Sequence, residues 1–239
     1  MQRAWDAGAR VLVLTVDLPI PGPRERDVRN GFMVPPRIGL DNAFDYASKL
    51  GWLWRLATGP RFTLGNFDVP GKAPRKMTTL AQYVASQFDP SVTWKDLDWI
   101  RSEWKGPLAV KGILRPDDAV RAQQHGADAV IVSNHGGRQL DGSPSAVAAL
   151  PAIAEALGGK TTVLMDGGIR RGADMVKAMA LGASACLVGR AGLYGLASGG
   201  RPGVERAIAM LQKEIDITQA LLGIPELSKI DGSALFPDR

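Results

Sequence analysis

The stretch "ADAVIVSNHGGRQLDG" (residues 127–142) changes character halfway along its length. Its first half, "ADAVIVSN" (127–134), is an almost continuous apolar run rich in β-branched residues. Such a run, without alternation of polar and apolar residues, is typical of a parallel strand that is buried on both faces. The second half adds a histidine, two glycines and an arginine, whereas a plain strand-to-helix turn needs only a glycine and a cap. The stretch therefore predicts a buried strand that delivers functional side chains at its carboxyl end.

Four further apolar runs share this character. They are the segments "RVLVLTVD" (10–17), "PLAVKGI" (107–113), "TTVLMDGG" (161–168) and "SACLVGR" (184–190). Helical patterns separate the last runs, in the segments "PDDAVRAQQHG" (116–126), "AVAALPAIAEALG" (146–158) and "GADMVKAMALG" (172–182). Strands and helices that alternate in this way predict an α/β domain with a parallel sheet.

Polar residues or glycines stand at the carboxyl ends of all five predicted strands. They are Thr15, Asp17, Lys111, Ser133, His135, Asp166, Gly189 and Arg190. Functional side chains that come from many strands and share one rim are typical of a (β/α)8 TIM barrel. An open sheet gathers its ligand mainly at a single switch point. The sequence therefore predicts the barrel.

A closed barrel of this kind requires eight strands, whereas the sequence predicts five. Either further strands are hidden in the segment 40–100, or the chain is the C-terminal part of a longer barrel. We favour the second interpretation. Residues 1–239 are then about the last five βα units of a single (β/α)8 domain, with 40–100 as a variable insertion.

Composition narrows the class of protein. Of the 239 residues, 45% are apolar and 22% are charged, which is ordinary for a globular domain. The net charge of +5 is spread along the chain, so we expect no nucleic-acid partner. No apolar run approaches the ~18 residues of a spanning helix, and no signal peptide is visible. The single cysteine, Cys186, lies in the apolar run "SACLVG", which indicates a buried small hydrophobe and a reducing compartment.

The segment "DNAFDYASKLGWLWRLATGPRFTLG" (41–65) differs from the rest because it combines two tryptophans with three basic residues. One interpretation is a lid that packs on the barrel mouth. The other is an interfacial helix whose aromatic and basic rim lies on a membrane surface. Two amphipathic helices are predicted after it, in "LAQYVASQF" (80–88) and "WKDLDWIRSEW" (94–104).

Two glycine–arginine turns follow consecutive strands, in "DGGIRRG" (166–172) and "VGRAG" (188–192). Glycines expose backbone N–H groups, a helix N-terminus favours an anion, and an arginine adds a fixed positive charge. Either turn alone has a purely structural explanation. The pair predicts a phosphate cradle of the kind found in barrels that bind phosphorylated cofactors.

Lys111, His135 and Arg138 are the side chains that indicate more than phosphate binding. A lysine that points into a barrel mouth needs an anionic partner, which a cofactor that gains negative charge would provide; the alternative is a lysine that extends outward. His135 is a candidate general base, and Asp17 is placed to hold and charge its imidazole. Arg138 and Arg24 are cations that suit a substrate carboxylate. His125, at a predicted helix end, is interpreted as a surface residue.

Together these residues resemble the FMN-dependent 2-hydroxy-acid dehydrogenase and oxidase family. The matching motifs are "LTVDLPIPGPRERDVRNGF" (14–32), "VKGIL" (110–114), "SNHGGRQLDG" (133–142), "DGGIRRGADMVKAMALGA" (166–183) and "VGRAGLYGLA" (188–197). Within the family, the segment 71–114 is most similar to the membrane-associated, quinone-linked L-lactate dehydrogenases of bacteria, with mandelate dehydrogenases second.

The resemblance implies a role for each matching residue. His135 is implied as the catalytic base and Asp17 as its orienting partner, while Arg24 and Arg138 are implied to bind the substrate carboxylate. FMN is the implied cofactor, and no metal ion is predicted. The implied FMN-binding residues are Thr15, Lys111, Ser133, Asp166, Gly167, Gly168, Arg170, Gly189 and Arg190.

The implied reaction is the oxidation of an L-2-hydroxy acid, with L-lactate first and L-mandelate or glycolate as alternatives. The implied electron acceptor is quinone or another acceptor rather than O₂. The resemblance also implies a homo-oligomer, a tetramer in the family, and a cytoplasmic location with peripheral contact to the inner face of the membrane through 41–65.

One departure from the family pattern leaves alternatives open. The family's first three strands carry a substrate-binding tyrosine, a small-residue loop over the flavin, and a glutamine with a second tyrosine, and the chain has no counterpart of these. It is similar to roughly the C-terminal 60% of a family member. A catalytically incompetent partial barrel, which needs a separate N-terminal part, is therefore one rival hypothesis. A phosphate-binding barrel without redox chemistry is the other, but it does not explain "SNHGGRQLDG".

Overall fold

The computed structural model describes residues 1–20, 22, 24–31, 39, 42–59, 86 and 88–236. The chain divides into two compact units. The first unit comprises Met1–Gly22 and Ser91–Arg239, and the second comprises Pro23–Pro90. All strands of the described residues lie in the first unit.

Five parallel strands form one sheet in the order β1-β2-β3-β4-β5, which is also their order along the chain. They are β1 (Leu12–Thr15), β2 (Leu108–Ile113), β3 (Ala129–Val132), β4 (Thr162–Asp166) and β5 (Ala185–Leu187). Each strand falls within one of the five predicted runs, so the predicted strands and their parallel pairing are confirmed. Consecutive parallel strands in chain order build the wall of a barrel, whereas a doubly wound sheet reverses direction at a switch point.

The helices of the described residues follow the predicted alternation. They are α1 (Gln2–Asp6), α2 (Glu25–Arg29), α3 (Ala43–Ala47), α4 (Leu50–Thr58), α5 (Trp94–Glu103), α6 (Pro116–Gln124), α7 (Ala146–Leu157), α8 (Gly172–Ala180) and α9 (Arg190–Leu222). Helices α6, α7 and α8 connect successive strands from β2 to β5, as predicted. Helix α9 contains a kink at Gly199 and Gly200, where the backbone dihedral angles leave the helical region.

The core of the first unit lies between the central strands and the helices that cover them. Val110, Val130 and Val163 from the sheet and Leu150 and Ile153 from α7 are at most 5% exposed. Full burial of such a side chain contributes about 1.5–3 kcal/mol. The edge strands are more open, since Val13 of β1 is 44% exposed and Leu187 of β5 is 39% exposed. The continuous apolar runs therefore indicated burial best for β2, β3 and β4.

The second unit contains helices α2, α3 and α4 among its described residues, and no strand occurs there. The helix predicted for 80–88 lies almost entirely outside the described residues, whereas the one predicted for 94–104 is α5. Among the helices in the described ranges, none has both the length and the apolar character needed to cross a bilayer.

Candidate active site

A break in the regular register of β2 places Lys111 and Asp17 beside each other. Lys111 pairs with Ile131 of β3, but Val132 pairs with Ile113 because Gly112 is skipped in the ladder. Gly112 has a φ of +103°, and a Cβ at this position would lie 2.7 Å from the Cβ of Asp17. The glycine therefore provides both the backbone conformation and the space that bring the Asp17 carboxylate against the end of β2.

Lys111 lies at the rim among polar groups of three other strand ends. Its Nζ donates a hydrogen bond to Ser133 Oγ at 2.9 Å, and it lies 3.2 Å from Asp166 Oδ2 and 3.9 Å from Asp17 Oδ2. The side chain is 15% exposed. The outward-extending alternative is therefore wrong. The sequence had suggested that a cofactor supplies the anionic partner of Lys111, but two protein carboxylates already do so.

His135 and Asp17 form a pair at the same rim. The distance from His135 Nδ1 to Asp17 Oδ1 is 3.0 Å, although the residues are 118 positions apart in the sequence. Among the described residues, none is hydrogen-bonded to the other ring nitrogen, Nε2. The backbone N–H of His135 donates to Ser133 Oγ at 3.0 Å, and His135 has a φ of +56°. It is the one non-glycine residue with positive φ in the described chain.

Two buried carboxylate oxygens of this cluster lack a hydrogen-bond partner among the described residues. They are Asp17 Oδ2 and Asp166 Oδ1. An unsatisfied buried acceptor is costly, and such groups in native proteins point to a missing donor such as a ligand hydroxyl or N–H. Asp166 is followed by Gly167 and Gly168, whose positive φ angles of +86° and +76° turn the backbone sharply after β4. The end of β4 therefore offers an acceptor and a tight glycine turn to a hydroxyl-bearing ligand.

The loop that carries His135 is held by side chains that the sequence analysis did not single out. Asn134 accepts a hydrogen bond from the Gly137 N–H at 3.2 Å and donates to the Pro144 carbonyl at 3.3 Å. Gln139 donates to the carbonyl of Ile20, in the segment after β1, at 3.0 Å. The asparagine contact is a local side-chain turn that the Asn–x–x–Gly spacing would have predicted. The glutamine contact is long-range and has no local signal.

The N-terminus of α8 is already occupied by the protein's own carboxylates. Asp174 Oδ2 accepts from the N–H groups of Arg170 and Arg171, both at 2.9 Å, and Glu214 Oε2 accepts from the Gly172 N–H at 2.7 Å. These three amides therefore do not serve an external anion, in contrast to what the sequence suggested. What "DGGIRRG" still offers is the glycine turn and the exposed side chain of Arg170.

The second glycine–arginine turn contacts the loop of His135. Gly189 is the N-cap of α9, and the Arg190 guanidinium donates to the Gly136 carbonyl at 3.0 Å. A Cβ on Gly136 would lie 3.0 Å from the same guanidinium nitrogen, so the glycine permits this contact. Arg190 thus joins the turn after β5 to the turn after β3.

The predicted site residues fall into three groups. Asp17, Lys111, Ser133, His135 and Asp166 form one continuous cluster, as the contacts above describe. The second group flanks this cluster. Thr15 pairs with Lys111 in the sheet, and Arg138 is exposed on the loop of His135. The glycines and arginines of the two turns complete the group. Arg24 lies in the second unit.

Two residues set apart by the sequence analysis lie outside this cluster. His125 ends α6, where its Nδ1 lies 2.7 Å from Asp98 Oδ1 and its ring stacks on Trp94 at 5.5 Å between centroids. Burial raises the pKa of the Cys186 thiol to about 11. Cys186 is therefore protonated at neutral pH, but it is half-buried, whereas the sequence predicts a buried residue.

Comparison with known proteins decides the family. The family described as FMN-dependent dehydrogenase matches residues 1–237, which is nearly the whole chain. The chain belongs to the FMN-dependent dehydrogenases. This confirms the predicted family, and FMN is the cofactor on which that family depends.

An L-lactate dehydrogenase and an L-lactate oxidase are among the proteins that are similar to this chain. An L-lactate dehydrogenase of Caulobacter sp. (strain K31) is 47% identical over 236 residues, which cover 98% of this chain and 62% of that protein. An L-lactate oxidase of Nostoc sp. (strain PCC 7120) is 47% identical over 235 residues, which cover 98% of this chain and 59% of that protein. The chain thus spans about three fifths of the length of the curated relatives that it matches.

Solved structures of FMN-dependent dehydrogenases confirm the fold. The monotopic membrane protein (S)-mandelate dehydrogenase is 38% identical, with a TM-score of 0.93 over 99% of this chain and 62% of that structure. A soluble mutant of the membrane-associated (S)-mandelate dehydrogenase from Pseudomonas putida gives a TM-score of 0.76 over 99% of this chain. The five βα units are therefore those of an FMN-type TIM barrel, as predicted.

Proposed function

We propose that this chain provides the catalytic base, the substrate clamp and most of the flavin contacts for the FMN-dependent oxidation of an L-2-hydroxy acid. The observation that supports this best is the contact cluster at the rim, in which the His135–Asp17 pair lies beside Lys111. A general base, an oriented carboxylate and a buried cation within one cluster suit a reaction that removes a proton and transfers negative charge.

In the proposed reaction, His135 Nε2 accepts a proton from the substrate. Asp17 fixes the orientation of the imidazole through Nδ1 and stabilises the positive charge that proton uptake creates. When bound, FMN would supply the acceptor for the two electrons and the second proton of the oxidation. The Lys111 ammonium would stabilise negative charge at the cofactor. The substrate carboxylate binds to Arg138, because a guanidinium holds a carboxylate through two parallel hydrogen bonds. The resemblance alone supports the same role for Arg24.

The chain's own residues fit the polar groups of FMN. The unpartnered Asp166 Oδ1 suits a ribityl hydroxyl, and the positive-φ glycines beside it permit close approach of a ligand to the backbone. We propose that the ring is bound by Thr15, Lys111 and Ser133. We propose that the ribityl chain and phosphate are bound by Asp166, Gly167, Gly168, Arg170, Gly189 and Arg190.

L-lactate is the proposed substrate, and L-mandelate is the second candidate. The similarity to relatives named L-lactate dehydrogenase and L-lactate oxidase supports lactate, since both are 47% identical. The high structural similarity to an (S)-mandelate dehydrogenase supports mandelate. Quinone or another acceptor is proposed to reoxidise the flavin, in a homo-oligomer at the inner face of the cell membrane.

The decisive experiment follows flavin absorbance. The chain is purified in two forms. One is the chain alone, and the other is a fusion in which the chain follows the part of the Caulobacter L-lactate dehydrogenase that does not align with it. We expect both preparations to show an FMN spectrum. Under anaerobic conditions, L-lactate is expected to bleach this spectrum faster than L-mandelate or glycolate does. A quinone analogue is expected to restore the spectrum faster than O₂ does. Bleaching only in the fusion supports the rival hypothesis of an incompetent partial barrel. A flavin-loaded fusion that no 2-hydroxy acid bleaches contradicts the proposed function.

Helix α4 is the proposed membrane contact. Its apolar side chains are unusually open, with Leu50 72%, Trp54 70%, Leu56 56% and Trp52 45% exposed. Arg55 lies on the same helix, and such a combination of aromatic and basic residues suits an anionic lipid surface.

Replacing both Trp52 and Trp54 with serine is expected to weaken binding to phosphatidylglycerol-containing vesicles by roughly tenfold or more, because each large apolar side chain gains about 1.5 kcal/mol or more on burial. Co-sedimentation of the full chain with vesicles measures this. Trp99→Ser is the matched control, since Trp99 is 59% exposed but lies on α5 in the first unit. Equal binding of the double variant and the control variant would argue against a membrane role for α4.

A further inference from the structure

Ser133 is the most deeply buried polar residue of the described chain. It is 0% exposed, and the one other buried polar residue in the described ranges is Thr161, at 7%. Burial of a hydroxyl destabilises the folded protein unless the hydroxyl is hydrogen-bonded. The Ser133 hydroxyl receives hydrogen bonds from two groups, and both belong to the proposed reaction.

We propose that Ser133, in addition to the ring contact proposed above, is a positioning residue, which fixes both His135 and Lys111 through one oxygen atom. Its Oγ accepts from the His135 backbone N–H at 3.0 Å and from Lys111 Nζ at 2.9 Å. A serine oxygen has two lone pairs, and these two donors use both. This inference rests on the proposed function, because His135 and Lys111 are the groups proposed to accept the proton and to face the reduced cofactor.

The contact with His135 explains how this residue holds its unusual backbone conformation. A left-handed φ is unfavourable for a residue with a side chain. Serine hydroxyls stabilise local turns by accepting from the backbone N–H two residues later, and Ser133 and His135 have this spacing. Gly136 and Gly137 continue the positive φ angles. The backbone therefore turns back at His135. In this conformation, the imidazole contacts the Asp17 carboxylate.

The contact with Lys111 fixes the position of the ammonium between two carboxylates. Asp166 Oδ2 is at 3.2 Å and Asp17 Oδ2 is at 3.9 Å from Nζ, so both carboxylates attract the ammonium. An ammonium has three donors and rotates freely, whereas the buried hydroxyl is a fixed acceptor. Ser133 therefore determines where the positive charge stands relative to the base.

The test uses the full chain without cofactor. The chain has two histidines, His125 and His135, so labelling at histidine gives a simple spectrum. A sample labelled with ¹⁵N at histidine gives two backbone amide signals, and His125 serves as an internal reference. In Ser133→Ala we expect the His135 amide to exchange roughly 3- to 10-fold faster, as the loss of one hydrogen bond implies. We expect the His125 amide to be unchanged. Ser133→Thr, which keeps the hydroxyl, is expected to restore the wild-type rate.

Thr161→Ala is the matched control, because it removes the other buried hydroxyl of the described residues, which is bonded to Gln123. An unchanged His135 amide in Ser133→Ala, or equal acceleration in the control, overturns the inference. If Ser133→Ala does not fold, Ser133→Cys is used, since sulfur is a weak acceptor of similar size.

A second readout uses the flavin-loaded fusion. Ser133→Ala is expected to lower kcat roughly tenfold with KM within about twofold, and Ser133→Thr is expected to recover kcat. Recovery by threonine would assign the loss of kcat to the hydroxyl rather than to repacking of the buried side chain. If no 2-hydroxy acid reduces the flavin of the wild-type fusion, the proposed function is refuted. The inference about Ser133 is tested separately, because amide exchange measures the Ser133 contact without substrate.

Discussion

Replacing His135 with glutamine is expected to lower the rate of flavin reduction by L-lactate by about 10³-fold while leaving FMN affinity unchanged. Glutamine is similar in length and retains an N–H donor for Asp17, but its amide does not accept a proton at neutral pH. The variant therefore removes the proton acceptor and keeps the hydrogen bond that the pair makes at 3.0 Å. Stopped-flow absorbance of the flavin under anaerobic conditions measures the rate, and titration with FMN measures the affinity.

His125→Gln is the matched control for this substitution. His125 also contacts a carboxylate through Nδ1, that of Asp98 at 2.7 Å, but it lies outside the rim cluster. We expect its effect on flavin reduction to be less than twofold. Rapid bleaching of the His135→Gln flavin by lactate would remove His135 from the role of base.

Replacing Gly112 with alanine is expected to destabilise the fold by about 3 kcal/mol and to reduce flavin reduction together with it. Two effects add. Positive φ at a non-glycine residue costs roughly 1–2 kcal/mol, and a Cβ at 2.7–2.9 Å from Asp17 forces that residue to move. Chemical denaturation measures the free energy of unfolding. The displaced carboxylate loses its contact with His135, which the stopped-flow assay detects.

Gly8→Ala separates the two effects. Gly8 has a φ of +95°, close to that of Gly112, but a Cβ there would meet no atom within 4 Å. We expect backbone strain alone to lower the free energy of unfolding of this variant by about 1–2 kcal/mol. Its rate of flavin reduction is expected to stay unchanged. Equal destabilisation in the two variants would show that the contact with Asp17 costs little.

Much of the fold could be predicted because parallel strands leave a local signal. A strand that is buried on both faces must be apolar throughout, so β2, β3 and β4 were visible as continuous runs. A glycine after the last helical turn is a local signal for a helix end, and Gly126 and Gly182, which follow α6 and α8, have φ angles of +84° and +106°. The residues at the rim followed from the strand ends, since in a barrel these all lie on one face.

The arrangement within the site was not predictable in the same way. The carboxylate partners of Lys111 lie 94 and 55 positions away in the sequence, and no local pattern encodes such pairs. The capping of α8 by Glu214 likewise depends on packing of a helix 42 positions later. The left-handed backbone of His135 departs from the usual preference of a residue with a Cβ, so a propensity-based prediction disfavours it.

The hydrogen bond from Arg190 to the Gly136 carbonyl has a consequence for how mutants are interpreted. Arg190 belongs to the turn proposed to hold the phosphate, whereas Gly136 directly follows the proposed base. The two ends of an extended ligand would thus be in thermodynamic linkage through the protein. A substitution at Arg190 perturbs both ends at once, so its effect on affinity is not a measure of phosphate binding alone. A substitution at Arg170, whose exposed side chain makes no such contact among the described residues, reports on the phosphate end by itself.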